Sequence, residues 1–264
     1  MNNTFSFERF GKVLALDFRN YIRNYGISLI VLCSVPIAMW ILSLIFDTDF
    51  GTVGRGIMFY LVILVGIFLA PTKAYGKANL PREGVAFAML PATALEKFLS
   101  MFLYCAILTP IVCFVGSWVI DSLLTLLPFG GFKEFVKVFS LRDLLIDANY
   151  IPKIMYLPFK FWFSSITGLV FWSAIFMLGN MIFKKRKAGK TLACILGINY
   201  VLTTIASVIL MNCKGIFVKF QNIQDEETLI AMINPLVNWS MVINTALLLL
   251  VLYFVYRKIK IQKY

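Results

Sequence analysis

The residues of this chain that could do chemistry are few and close together. Arg82, Glu83 and Gly84 stand in R-E-G order, Leu90, Pro91 and Thr93 follow as L-P-x-T, and Thr93 and Glu96 hold T-x-x-E spacing. A threonine and a glutamate three residues on can cap a helix start reciprocally, each satisfying a backbone N–H that the helix leaves unpaired. That chemistry shapes a backbone and breaks no bond. Histidine, the commonest general base and metal ligand, does not occur in the sequence. Cys33, Cys105, Cys113, Cys194 and Cys213 show no C-x-x-C spacing, and four of the five lie in apolar runs, as small buried hydrophobes do. No Walker motif or Gly-rich phosphate loop is visible, so the chain is expected to bind no cofactor and to hydrolyse no ATP itself.

The elements that position these residues follow from the prolines. Pro81 suits a first helical turn, R-E-G-V-A-F-A-M-L can run as a short helix, and Pro91 ends it. Thr93 then restarts a helix. The pattern is helix, break, helix. The short helix offers Val85, Phe87, Met89 and Leu90 as apolar contacts, rimmed by Arg82 and Glu83. Such a helix either rests on a membrane surface or inserts into a groove on a partner.

Composition places this segment between membrane spans. Of 264 residues, 60% are hydrophobic and 14% charged, against about 25% charged in a soluble domain. Six uncharged runs stand out: 26–46, 56–72, 98–120, 161–183, 191–211 and 236–256. Each holds 17–23 residues, enough at about 1.5 Å per residue to cross about 30 Å of hydrocarbon. None contains Asp, Glu, Lys or Arg, which argues against a proton- or ion-coupled carrier. If both termini lie in the cytoplasm, 17 of the 25 Lys and Arg fall inside and 8 outside, and the K-K-R-K-A-G-K turn at 184–190 is the strongest anchor. The net charge of +12 is therefore an orientation signal, and nucleic acid is not an expected partner. The predicted fold is all-α: one transmembrane domain over 1–264, six spans, both termini cytoplasmic, with interfacial amphipathic helices.

Residues 5–23 repeat Phe7, Phe10, Leu14, Phe18 and Tyr21 at helical spacing, with basic residues largely opposite, which predicts an interfacial helix before the first span. Outer loops are predicted at 121–160 and 212–235. The first carries a predicted amphipathic helix on the outer surface around Phe132, Phe135, Val136 and Phe139, and the second a short helix in I-Q-D-E-E-T-L-I-A-M-I. Pro36 and Pro110 predict kinks within spans. Asn199, Thr203, Thr204, Asn238 and Asn244 are the main polar groups of the last two spans. They either hydrogen-bond between helices, worth about 0.6 to 2 kcal/mol each, or line a translocation path, for which Asn199, Thr203, Asn238 and Asn244 are the candidates.

The R-E-G, L-P-x-T and E-K succession before a span resembles the first cytoplasmic loop of ABC transporter permeases of the type-2 export class. The likeness extends across most of the chain: six spans, an interfacial N-terminal helix and a short helix between spans two and three. It implies that residues 81–90 form a coupling helix docked on a separate cytoplasmic ATPase subunit, which binds the ATP. Arg82, Glu83 and Gly84 would open that helix, Leu90, Pro91 and Thr93 would form the turn after it, and Glu96 would stand at the base of span three. It further implies a homodimer or a paired permease in the plasma membrane, among membrane lipids, exporting a lipid-like, peptide or drug-like amphiphile. The chain departs from the family in carrying Phe98-Leu99-Ser100 where many relatives have Gly-Lys, and in having its longest outer loop between spans three and four. A non-transporting assembly or immunity protein is the main alternative, and an intramembrane enzyme fits less well.

Overall fold

The computed structural model describes residues 5–80, 84–128, 131–136, 158–212 and 226–261. Among them no strand occurs, and six helices are long and apolar enough to cross a membrane. Expectations for Arg82, Glu83, Phe139 and the first residues of the second outer helix fall outside the described residues.

The first span is built from α1 (Phe7–Cys33) and α2 (Val35–Phe46). The helix does not stop between 23 and 26, so the residues expected as a separate interfacial helix are continuous with the span. The break falls at Ser34, just before Pro36, which lacks an N–H and whose ring opposes the carbonyl four residues back. The buried stripe of α1 is Val13, Asp17, Tyr21, Tyr25 and Leu29, spaced by four. Of the expected apolar face only Tyr21 belongs to that stripe, and Phe7 is 83% exposed.

The second span is α3 (Thr52–Ala74), followed by a 3-10 turn (Gly76–Asn79) and the short α4 (Gly84–Met89). The third span joins α5 (Ala94–Phe102), a π-helical turn (Leu103–Leu108) and α6 (Thr109–Thr125), whose first turn holds Pro110. The π turn answers the proline. The Tyr104 carbonyl accepts both the Thr109 N–H, five residues on as in a π-helix, and Thr109 Oγ1 at 2.8 Å. Then come α7 (Pro158–Ile182), α8 (Lys187–Asn212) and α9 (Glu226–Ile261). The six predicted runs fall on these helices, the fourth passing the end of α7 by one residue.

The core sits around α3, which packs on α1, α6 and α7, while α9 packs on α7 and α5. Tyr25, Ile67, Met101, Cys105, Cys113, Met177 and Val255 lie at its centre with at most 0% exposure each. Helix α3 meets α6 closely at Gly66, where a Cβ would lie 2.7 Å from Cys113 Sγ; a small residue is what lets apolar helices approach when no water drives them together. Helix α8 is peripheral, and α9 joins the core mainly through Val255 and Ile259 near its end. In the most apolar 18-residue window of α8, 6% is buried, against 44% in α3. Cys194 is accordingly exposed, while Cys105 and Cys113 are buried as expected.

Candidate functional site

The candidate site is built at the end of the bundle that carries residue 7 and residue 261, here the terminal end. Helix α4 has six residues, too short to hold itself, because helix nucleation fixes more dihedrals than its first hydrogen bonds repay. Its neighbours hold it. The Gly84 N–H donates to the Leu80 carbonyl at 2.8 Å. After α4, Thr93 and Glu96 form the expected capping box: Glu96 N–H donates to Thr93 Oγ1 at 3.3 Å, and Thr93 N–H to Glu96 Oε2 at 2.8 Å.

Glu96 does more than cap. It is fully buried, and its other oxygen accepts the Ser6 N–H at 2.9 Å and Arg9 Nη2 at 3.3 Å. One carboxylate thus starts α5 and grips the start of α1. The next residue, Lys97, faces the other way. Its ammonium donates to the Phe87 carbonyl at 2.8 Å and lies 5.3 Å from the centre of the Phe87 ring. It satisfies a carbonyl that the end of α4 leaves unpaired.

Behind Lys97 stands Asp17 of α1, 5% exposed. It accepts Tyr75 Oη at 3.0 Å, from the end of α3, and Ser100 Oγ at 2.5 Å, from α5. The Lys97 ammonium is within electrostatic reach of this carboxylate. One helical turn along, Tyr21 Oη and Thr109 Oγ1 are 2.8 Å apart, and since Thr109 donates to Tyr104, Tyr21 is the donor of that pair. Tyr25 Oη then donates to the Gly66 carbonyl at 2.9 Å. The polar stripe of α1 is therefore a ladder of satisfied groups, as burial demands.

The turn after α3 is tied to the α7–α8 corner. Asn79 Nδ2 donates to the Met181 carbonyl at 2.8 Å, Asn180 Nδ2 to the Tyr75 carbonyl at 3.2 Å, and Lys187 Nζ to the Gly76 carbonyl. Lys184, Lys185, Arg186 and Lys190 stay exposed around it.

Of the residues expected to contact a partner, Val85, Phe87 and Leu90 are half-buried, and Phe87 packs on the central core beneath Lys97. Met89 alone of the four projects, 79% exposed. The four candidate path residues are not brought together into an interior channel: Asn199, Thr203, Asn238 and Asn244 are all exposed on the periphery of α8 and α9. The Thr203 hydroxyl donates back to the Asn199 carbonyl of its own helix at 2.8 Å.

The opposite, distal end carries a site that residue-by-residue reading missed. Helices α3 and α6 run past the predicted windows and bury Arg55 and Asp121, each 1% exposed. Arg55 Nη1 lies 3.2 and 3.1 Å from the two oxygens of Asp121. The guanidinium stands 4.4 Å from the centre of the Phe132 ring and also donates to the Glu134 carbonyl. Residues 131–136 are not the helix expected there but an irregular strap across the ends of α2, α3 and α6, which buries Phe132 and Val136. The Gly131 N–H donates to Ser43 Oγ at 3.2 Å, and Trp118 Nε1 to the Val136 carbonyl at 3.2 Å. At the strap's surface Lys133 meets Asp49, and the hydrogen bond to that carboxylate pushes the lysine pKa up. The lack of ionisable groups thus holds for the central windows only, because Asp17, Arg55 and Asp121 are buried in the helices that contain or extend them. A sequence signal existed: Arg55 and Asp121 each sit one residue outside an apolar run, at the same end and with opposite sign.

Among the described residues no cluster of three or more His, Cys, Asp or Glu could hold a metal. No protein-family model, curated protein or solved structure matches the chain.

Proposed function

We propose that the chain is the membrane-spanning permease subunit of an ATP-driven exporter, with residues 81–90 as the contact for a separate cytoplasmic ABC ATPase. The observation that carries this is α4: a six-residue helix between the second and third long apolar helices, braced from behind, with Met89 79% exposed. A braced helix with one projecting apolar side chain suits transmission of a push, since a loose loop would absorb it. The terminal end also gathers the exposed Lys184–Arg186 cluster, and this excess of basic residues in a short loop supports a cytoplasmic position at a plasma membrane.

The outward Asn199, Thr203, Asn238 and Asn244 line no path within one chain. They support a path formed between two permeases, as a homodimer or with a similar subunit, where an asparagine amide can find the partner that lipid denies it. A lipid-like, peptide or drug-like amphiphile suits a surface of this mixed character.

The test is co-purification of the tagged full chain, in detergent, with co-expressed ABC ATPases that carry Walker motifs. The wild-type chain should retain one of them. Met89→Asp should cut retention about tenfold, since it places an unpaired charge in an apolar contact. Retention unchanged by Met89→Asp excludes α4 as the dock. No ATPase retained by the wild type leaves a non-transporting membrane protein.

A further inference from the structure

The side chains that face α4 assign it a joint. The helix has too few internal hydrogen bonds to keep its own position, and its last carbonyls need donors from elsewhere. Lys97 supplies one at 2.8 Å and covers the Phe87 ring with the same ammonium. Although charged, Lys97 is only 7% exposed. A cation buried at an apolar boundary is retained only where its charge is answered. Among the described residues its charge is felt by Asp17, which α3 and α5 hold through Tyr75 and Ser100. The adjacent Glu96 takes no part in this and binds the start of α1 instead.

The geometry points to Lys97 as the positioning residue of α4: its ammonium fixes the helix at Phe87 and so ties it to α5, beside the Asp17 junction where α1, α3 and α5 meet. A displacement of α4 must then either carry that ammonium, and with it α5, or break the Phe87 contact. Glu96, one residue away, makes a separate joint between α1 and α5. The two neighbouring side chains divide the work, the carboxylate serving the N-terminal helix and the ammonium serving α4. This inference rests on the coupling role proposed above only for its purpose; the positioning itself is a property of the chain alone.

The experiment is a pair of spin-label distance distributions in the full chain, on a background with Cys194 and Cys213 replaced by serine. One pair joins Met89→Cys to Leu126→Cys at the distal end, and the reference pair joins Leu95→Cys to Leu126→Cys; all three positions are exposed. Lys97→Met keeps the aliphatic stem and leaves Asp17 with its two hydroxyl donors, so the bundle should fold. It should broaden the 89–126 distribution roughly twofold, as for a segment released to local opening, and leave 95–126 unchanged. Lys97→Arg, which keeps charge and donors, should restore the narrow distribution, and Glu96→Gln should leave it narrow. An 89–126 distribution that Lys97→Met does not change overturns the assignment, as does equal broadening of both pairs, which would mean general loosening.

A second arm uses the ATPase retained in the co-purification. Lys97→Met should keep Met89 docked, and so keep retention, while stimulation of ATP hydrolysis by the permease is lost. Loss of retention and stimulation together would overturn the division between docking at Met89 and positioning at Lys97. If no ATPase is retained, the coupling role fails, and the distance distributions still decide the positioning role.

Discussion

The two ends of the bundle bury charge in opposite ways. At the distal end Arg55 and Asp121 neutralise each other directly, and Phe132 and the Glu134 carbonyl close over what remains of the guanidinium. At the terminal end the ion pair of Glu96 with Arg9 is partly exposed, and neutral groups supply most of the other contacts among the described residues. Glu96 is answered by backbone amides and a partly exposed Arg9, Asp17 by two hydroxyls, and Lys97 by a carbonyl and a ring. A paired ion has one good geometry and resists displacement. A charge shared among neutral dipoles has several of similar energy and can shift among them. The distal arrangement suits a fixed closure, and the terminal one suits a joint.

The largest effect that separates the two ends should come from Arg55→Leu. It leaves Asp121 buried and unpaired, which costs about 3–5 kcal/mol, and thermal unfolding in detergent should show it. Arg55→Leu with Asp121→Leu should recover most of that loss, because the cost lies in the orphaned charge and not in the missing pair. If the single variant is no less stable than the wild type, the distal end is not the fixed one. A smaller effect is expected from Thr93→Ala at the terminal end, about 1 kcal/mol for a lost N-cap, with Thr93→Ser close to neutral in the same unfolding measurement. A loss as large as that of Arg55→Leu would show the terminal joint to be as rigid as the distal pair. The smallest belongs to Lys12→Ala. Its ion pair with Glu8 is exposed on both sides, and the melting temperature should not move. A measurable drop would mean that the N-terminal turn of α1 is more tightly built than its exposure implies.

Local chemistry was legible in the sequence. The capping box at Thr93 and Glu96 depends on spacing within four residues, and it formed. Pro36 and Pro110 disturb their helices because the missing N–H acts within one turn. The apolar runs predict helices because length and composition suffice for that. What depends on which helices meet was not legible. Arg55 and Asp121 are 66 positions apart, and nothing in either neighbourhood names the other. The apolar face expected for residues 5–23 was chosen by hydrophobicity, yet α1 turns inward the face that carries Asp17, Tyr21 and Tyr25. Its neighbours offer Tyr75, Ser100, Thr109 and the Gly66 carbonyl there, and buried polar groups must go where partners are. Phe87 was expected to face a partner with Met89, but two successive odd positions on a helix lie about 200° apart, so one faces out while the other faces the bundle.

The interruption at Ser34 gives the first span a property that the other apolar helices do not share in the same place. Its first segment is fastened to the terminal groups and its second, through Ser43, to the strap at Gly131, where an added Cβ would sit 2.5 Å from the Thr48 carbonyl. With the regular ladder interrupted around Ser34 and Pro36, the angle between the two segments is set by few backbone bonds. The first crossing is thereby given a hinge point between its two anchorages, where a change of tilt meets the least backbone resistance.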